Sequence, residues 1–255
     1  MLNFLTIINL KIMIKTLVPD VVEETTGNEN KMLSPIKRGT FLKYLGASAA
    51  FTALTLAGCK KSDDPTPGSV TFTSDDFGVL NYAYALEQLE AAFYIQVVAT
   101  PYSGIPATEL TLLTSIRDHE KLHRDFFKNA ITALKGTPIM DLTPDFSSID
   151  FTSRASVLGA AKAFEDLGVS AYNGAGHGIK TADYLVLAGK IVSVEARHAA
   201  AIRDLMNPNS ADFAGDDVVD ATSGLDGAKN PVAVLAIAQK YVKNKFDSSG
   251  LSFIK

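Results

Sequence analysis

Leu80-Asn81-Tyr82-Ala83-Tyr84-Ala85-Leu86-Glu87-Gln88-Leu89-Glu90-Ala91-Ala92-Phe93-Tyr94 and Leu158-Gly159-Ala160-Ala161-Lys162-Ala163-Phe164-Glu165-Asp166-Leu167-Gly168-Val169-Ser170-Ala171-Tyr172 decide the fold. At spacings of three and four, the first gives a helical seam of Leu80, Ala83, Glu87, Glu90, Tyr94 and Val97. The second gives Leu158, Ala161, Glu165, Gly168 and Tyr172, and a shift of 78 residues superimposes the two. Each segment is followed by another helical seam. Leu113, Ile116, Glu120, His123 and Phe127 superimpose on Ala188, Ile191, Glu195, His198 and Ile202 at a shift of 75. The chain carries a two-fold repeat of a helical hairpin.

Boundary signals place four long helices. The first starts at a Ser74 or Asp75 cap, with Asp76 near its positive end, and runs to about Thr100, before Pro101, Gly104 and Pro106. The second covers about Ala107 to Lys135 and stops at Gly136, expected as a left-handed cap. Ser153 opens the third, which fades into Asn173–Gly178, and the fourth covers about Thr181 to Met206. No segment alternates as a half-buried strand does. Short links make each pair an antiparallel hairpin, and the 17-residue link from Gly136 to Thr152 is long enough to cross a bundle. The expected fold class is all-α: two hairpins and one long crossover, the connectivity of a ferritin-like four-helix bundle. Asn230-Pro231 opens an additional C-terminal helix expected to reach Phe246, packed outside the bundle, with Lys240, Lys243 and Lys245 on its solvated side.

All four seams break at corresponding heights with ionisable residues. Carboxylates among leucines are costly unless compensated. Glu87, Glu120, Glu165 and Glu195 carry four negative charges, which two divalent cations balance, and His123 and His198 each add an uncharged nitrogen. Glu120-x2-His123 and Glu195-x2-His198 each put both side chains on one helix face, within reach of one ion. The single glutamate of each remaining helix can bridge or terminate the pair. This is the donor pattern of a carboxylate-bridged dinuclear metal site. Oxygen and nitrogen donors of this charge suit iron and manganese alike, so the expected cofactor is two Fe or Mn ions.

Other polar positions are more open. Glu90, whose repeat mate is Gly168, is an additional ligand, a protonated carboxyl, an acceptor behind the ligands or a surface residue. Tyr94 and Tyr172 stand seven residues after Glu87 and Glu165, where they pack beside the site and hydrogen-bond ligand carboxylates, or donate an electron. His119 is expected on an exposed helix face, and His177, within Gly-Ala-Gly-His-Gly, in a loop. The sequence carries no phosphate-binding loop, dinucleotide fingerprint or nucleophile elbow.

These motifs resemble the ferritin-like superfamily, and most closely the family that includes desiccation-related proteins. Asn81-Tyr82-Ala83, Leu89-Glu90-Ala91-Ala92-Phe93-Tyr94, Phe164 to Ala175, and Val194-Glu195-Ala196-Arg197-His198-Ala199-Ala200 carry the resemblance, which covers about residues 74 to 206. It implies that Glu87, Glu120, His123, Glu165, Glu195 and His198 are metal ligands. Two functions from different classes are compatible. One is redox chemistry of an oxidoreductase on dioxygen, peroxide or ferrous iron (ferroxidase, peroxidase or catalase type). The other is a metal-stabilised stress or desiccation-related protein without turnover. A homo-oligomer is compatible with both, though a membrane anchor argues against a closed iron-storage shell.

That anchor is read from the N-terminus. Lys37, Arg38 and Lys43 precede the uncharged run Tyr44–Gly58, which ends Leu56-Ala57-Gly58-Cys59. A basic stretch, a short apolar run and this ending resemble a bacterial lipoprotein signal, with Cys59 as the lipid-bearing residue and Lys60–Ser69 as a polar tether. Arg38-Gly39-Thr40-Phe41-Leu42-Lys43 half-matches a twin-arginine signal, leaving the export route open, and Met1, Met13 and Met32 are all candidate starts. The expected organisation is 1–58 extension and signal peptide, 59–73 tether, 74–206 bundle, and 207–255 C-terminal extension. Lys60 in place of Asp points to the outer membrane of the cell envelope.

Composition supplies the exclusions. The 255 residues are 47% hydrophobic and 20% charged, as in ordinary globular proteins. A net charge of −4 offers no electrostatic attraction for nucleic acid, and one cysteine excludes a disulfide framework and cysteine-based zinc sites.

Overall fold

The computed structural model describes residues 68–254. The expected signal, the Cys59 lipidation site and most of the tether lie outside the described residues. Four long helices carry the fold: α1 (Asp76–Ala99), α2 (Ala107–Ala133), α3 (Arg154–Ala175) and α4 (Ala182–Met206). Asp75 caps α1 by accepting from Gly78 N, and Ser153 caps α3 by accepting from Ser156 N. The Asp76 carboxylate reaches across to accept from Lys180 N and Thr181 N, joining the starts of α1 and α4.

α1 packs chiefly on α2, and α3 on α4. Phe77 at the start of α1 meets Ile131 and Gly136 at the end of α2, so this hairpin is antiparallel. Arg154 at the start of α3 donates to Leu205 O at the end of α4 and forks onto buried Glu109 of α2. The crossover runs beside α1. Asn81 pairs with Thr137 O and Ile139 N, Gln88 with Met140 O and Leu142 N, and Phe93 meets Phe146 edge-on at 6.0 Å. With partners on every side, α1 is buried around most of its circumference.

Three expectations need correction. First, the chain is not helical throughout: β1 (Ser69–Thr71), inside the expected tether, pairs in parallel with β2 (Lys245–Asp247). Val70 and Phe72 are buried there, while Ser69 and Thr71 are exposed. Three residues are too few for alternation to show in the sequence.

Second, the C-terminal helix α5 (Pro231–Ala238) gives way to a single 3-10 turn, Gln239–Tyr241, well before Phe246. The Gln239 side chain takes over the backbone pairing, donating to Val242 O and Asn244 O and accepting from Phe246 N. α5 still packs on the bundle: Val234, Leu235 and Ala238 join Val79, Leu86 and Leu89 in one apolar cluster. Third, the left-handed residue after α2 is Lys135 (φ 65°), not Gly136. Gly136 follows it, donating to Ile131 O, and is glycine because a Cβ there would stand 2.5 Å from the Phe77 ring.

The C-terminal extension is pinned by Arg203 of α4, which is 3% exposed. Its guanidinium forks onto Asp166 of α3 at 2.8 Å for both bonds and onto Asp217 at 2.8 and 3.0 Å. Removing a buried charge partner leaves its carboxylates uncompensated. Arg203→Met is expected to cost about 2–3 kcal/mol, mostly from the Asp166 side, because Asp217 is open to water. The urea midpoint reads this, and an unchanged midpoint would contradict it. Among the described residues, no helix is long and apolar enough to cross a membrane.

Candidate metal centre

Each helix delivers its ionisable residues to one level of the interior. Glu87, Glu120, Glu165 and Glu195 are all 0% exposed and His198 is buried, while His123 keeps a partly exposed edge. The donor atoms fall into two groups whose members lie within 4.8 Å of one another. One is Glu87, Glu120, His123 and Glu195; the other is Glu120, Glu165, Glu195 and His198. Glu120 and Glu195, from α2 and α4, belong to both. Were each group to hold an ion, Glu120 and Glu195 would be shared between the two, with Glu87 and His123 on one side and Glu165 and His198 on the other.

The donors' present partners test whether these residues fit a metal pair. His123 Nδ1 lies 2.7 Å from Glu195 Oε1, and His198 Nδ1 lies 2.8 Å from Glu120 Oε1. Neither contact has hydrogen-bond geometry. Both Nδ1 atoms, both oxygens of Glu120 and of Glu195, and Oε2 of Glu87 and of Glu165 are buried without a hydrogen-bond partner. Eight orphaned donor atoms aimed at one space are costly in a protein interior, and bound metal would satisfy them. The residues fit the group.

The outer partners repeat the two-fold pattern. Tyr94 O–H donates to Glu165 Oε1 at 2.6 Å, and Tyr172 O–H donates to Glu87 Oε1. Each terminal glutamate thus has one oxygen tied to a tyrosine of the other hairpin and one oxygen left for an ion. Burial raises both phenols well above their usual range, so they remain protonated donors.

The ligand carboxyls divide in their proton affinity. Burial pushes Glu87 well above the carboxylate range, and the neighbouring Glu195 adds to this. Burial also raises Glu165, to about 8, although His198 pulls the other way. For Glu120 burial acts upward too, but the two imidazoles outweigh it and hold the carboxyl at about 2.

Glu90 belongs to neither group. It is 4% exposed, its Oε2 has no partner, and its Oε1 occupies the space a Cβ at Gly168 would need, at 2.9 Å. Burial, then the charge of Glu120, raise it well above the carboxylate range. Glu90 thus stands beside the two groups, where burial favours its protonated form.

His119 shows what the seam pattern missed. One edge is exposed, as expected, but its Nδ1 lies 2.9 Å from His198 Nε2 and the rings stack at 5.1 Å. It backs one ligand histidine, while its repeat mate is Val194, so the two halves of the site are inequivalent. Asp-His-Glu before Lys-Leu-His offered a weak signal: a residue just before a ligand turns partly toward it. His177 stands exposed in the turn Gly176–Gly178, away from the centre. His119→Val is expected to weaken one of two bound ions about 10–100-fold by freeing the outer nitrogen of His198. A stepwise chelator competition reads this, and unchanged affinities for both ions would refute it.

A four-helix bundle of two hairpins and one crossover, with paired Glu-x2-His helices around buried carboxylates, defines a ferritin-like metal-binding protein. The profile of the ferritin-like domain family matches residues 75–208, and the chain belongs to that family. No protein of curated function matches the chain.

Proposed function

We propose that the chain holds two iron or manganese ions and uses them for redox chemistry on a small oxidant, in a lipoprotein of the bacterial cell envelope. One observation carries the metal assignment: eight unpartnered donor atoms from six side chains, arranged as two four-residue groups sharing Glu120 and Glu195. Such a pair would supply two electrons, so that 2 Fe²⁺ + O₂ + 2 H⁺ gives 2 Fe³⁺ + H₂O₂, or 2 Fe²⁺ + H₂O₂ + 2 H⁺ gives 2 Fe³⁺ + 2 H₂O.

The protein's own groups set the conditions. Tyr94 and Tyr172 hold Glu165 and Glu87 so that one oxygen of each faces the ions. His119 orients the His198 ring. Burial disfavours a charged Glu90 carboxyl next to the ligands. The envelope assignment rests on Tyr44–Gly58 and the Leu56–Cys59 ending, with a lipid on Cys59 as the contact to the membrane.

The complete burial of the four glutamates favours a second reading, a metal-stabilised stress protein without turnover, since structural metal sites are closed to solvent. Elemental analysis and oxidant consumption by the loaded protein separate the two. The redox reading expects about two Fe or Mn per chain and consumption of dioxygen or peroxide with turnover. A folded protein that takes only zinc or no metal sinks it; two redox metals, a large rise in melting temperature and no turnover establish the second reading.

A further inference from the structure

An apolar cavity of about 40 Å³ lies among the four helices, at the end where α1 begins and α2 ends. Leu86 and Ala83 of α1, Phe127 of α2, Tyr172 of α3 and Ala188 of α4 are among its walls. Tyr172 links it to the metal centre, since the ring lines the cavity and the hydroxyl donates to Glu87. Toward the surface the walls include Tyr184 and Leu134, whose side chains are partly open to solvent. The space therefore runs from the end of the bundle to Tyr172, the residue that holds Glu87.

We propose that this cavity is a binding site for dioxygen, which reaches the centre through it; the proposal rests on the dinuclear redox reading and names its oxidant. A water site needs roughly 10–15 Å³ and two to four polar partners, and apolar cavities that lack such partners stay dry. This one has room for a small molecule but only apolar walls to receive it. Hydrogen peroxide would surrender its hydrogen bonds to water on entry, at a cost of several kcal/mol. Dioxygen has none to surrender. The walls are built for the apolar oxidant, and a drug-sized organic ligand, which needs roughly 300 Å³ or more, does not fit.

Crystals of the full chain under xenon pressure are expected to show xenon beside Tyr172 and Ala83, since xenon occupies dry apolar cavities whether or not metal is bound. Ala188→Leu fills the space from α4 and touches no ligand. It is expected to abolish the xenon site and slow oxidation of bound Fe(II) by dioxygen about tenfold, with anaerobic oxidation by hydrogen peroxide unchanged and two metals still bound. Ala130, which lines the cavity from α2, gives a second filling variant: Ala130→Leu repeats the test should Ala188→Leu lower the melting temperature. No xenon at this position, density there for a stretch of the chain's own N-terminus or an acyl chain, or equal slowing with both oxidants overturns the proposal. Xenon binding by a protein that takes no redox metal would instead fail the dinuclear reading.

Discussion

Glu120→Ala is expected to empty the centre of both metals, whereas Glu87→Ala is expected to leave about one ion per chain. The difference follows from the two overlapping groups. Glu120 and Glu195 serve both positions, while Glu87 serves one. On the two-ion reading, deleting a shared carboxylate would remove a ligand and a negative charge from both positions at once. Deleting Glu87 leaves Glu120, Glu165, Glu195 and His198 as a full set of four. The loss per position should exceed the ~10–100-fold typical of removing an outer partner. Metal content after dialysis against a weak chelator reads the contrast, with circular dichroism to show that both variants fold. Equal retention in the two variants would refute the bridging assignment of Glu120.

The second large effect is in protons. Without metal, burial keeps Glu87 and Glu165 protonated at neutral pH. Burial disfavours the charged imidazole of His198, but Glu120, Glu165 and Glu195 outweigh it and push the ring to about 12. Burial acts the same way on His123, but Glu120, Glu195 and Glu87 outweigh it and raise the ring well above its usual range. All four groups must lose a proton to bind metal, so loading two ions at pH 7 should release about four protons per chain. A pH-stat titration measures this directly, and release of one proton or fewer would contradict the assignment.

The same groups set the pH dependence of the metal-free protein. Glu165 is raised from 4.5 to about 8 and His198 from 6.5 to about 12 on folding. The folded state binds the extra protons, so their stabilisation is complete below the unfolded values. It is lost as pH rises, through about 8 for Glu165 and about 12 for His198. Glu120, held at about 2, runs oppositely and loses its contribution only in strong acid. Metal-free protein should therefore weaken in urea from about pH 5 to pH 9, while the rise in melting temperature on adding metal grows over the same range.

Much of this centre was legible along the chain because helices convert spacing into direction. Glu87 and Tyr94, or Glu120 and His123, share a face whatever they pack against, and a glutamate among leucines at a repeating height signals a buried counter-charge. The Asp75 and Ser153 caps follow from the same local geometry, and spacing alone puts Tyr94 and Tyr172 on the ligand faces, although the carboxylate each one holds stands on the other hairpin. The misses lie where a residue's role depends on a distant partner. β1 and β2 pair residues 176 apart, Ser69 with Lys245, and three-residue strands leave no pattern to read. α5 stops because the side chain of Gln239 competes for the backbone beyond it.

Period and capping act within a few residues, so the helices, their order and the six ionisable residues of the seams could be read along the chain. Contacts between helices settle the rest: the Glu-x2-His helices supply both shared carboxylates, His119 backs His198, and Glu90 lies outside both groups. Those outcomes depend on separations of a few ångströms between helices, and side-chain packing at each crossing sets them. Glycine at position 168 rather than a second glutamate is one such choice: it opens the space that the Glu90 carboxyl fills.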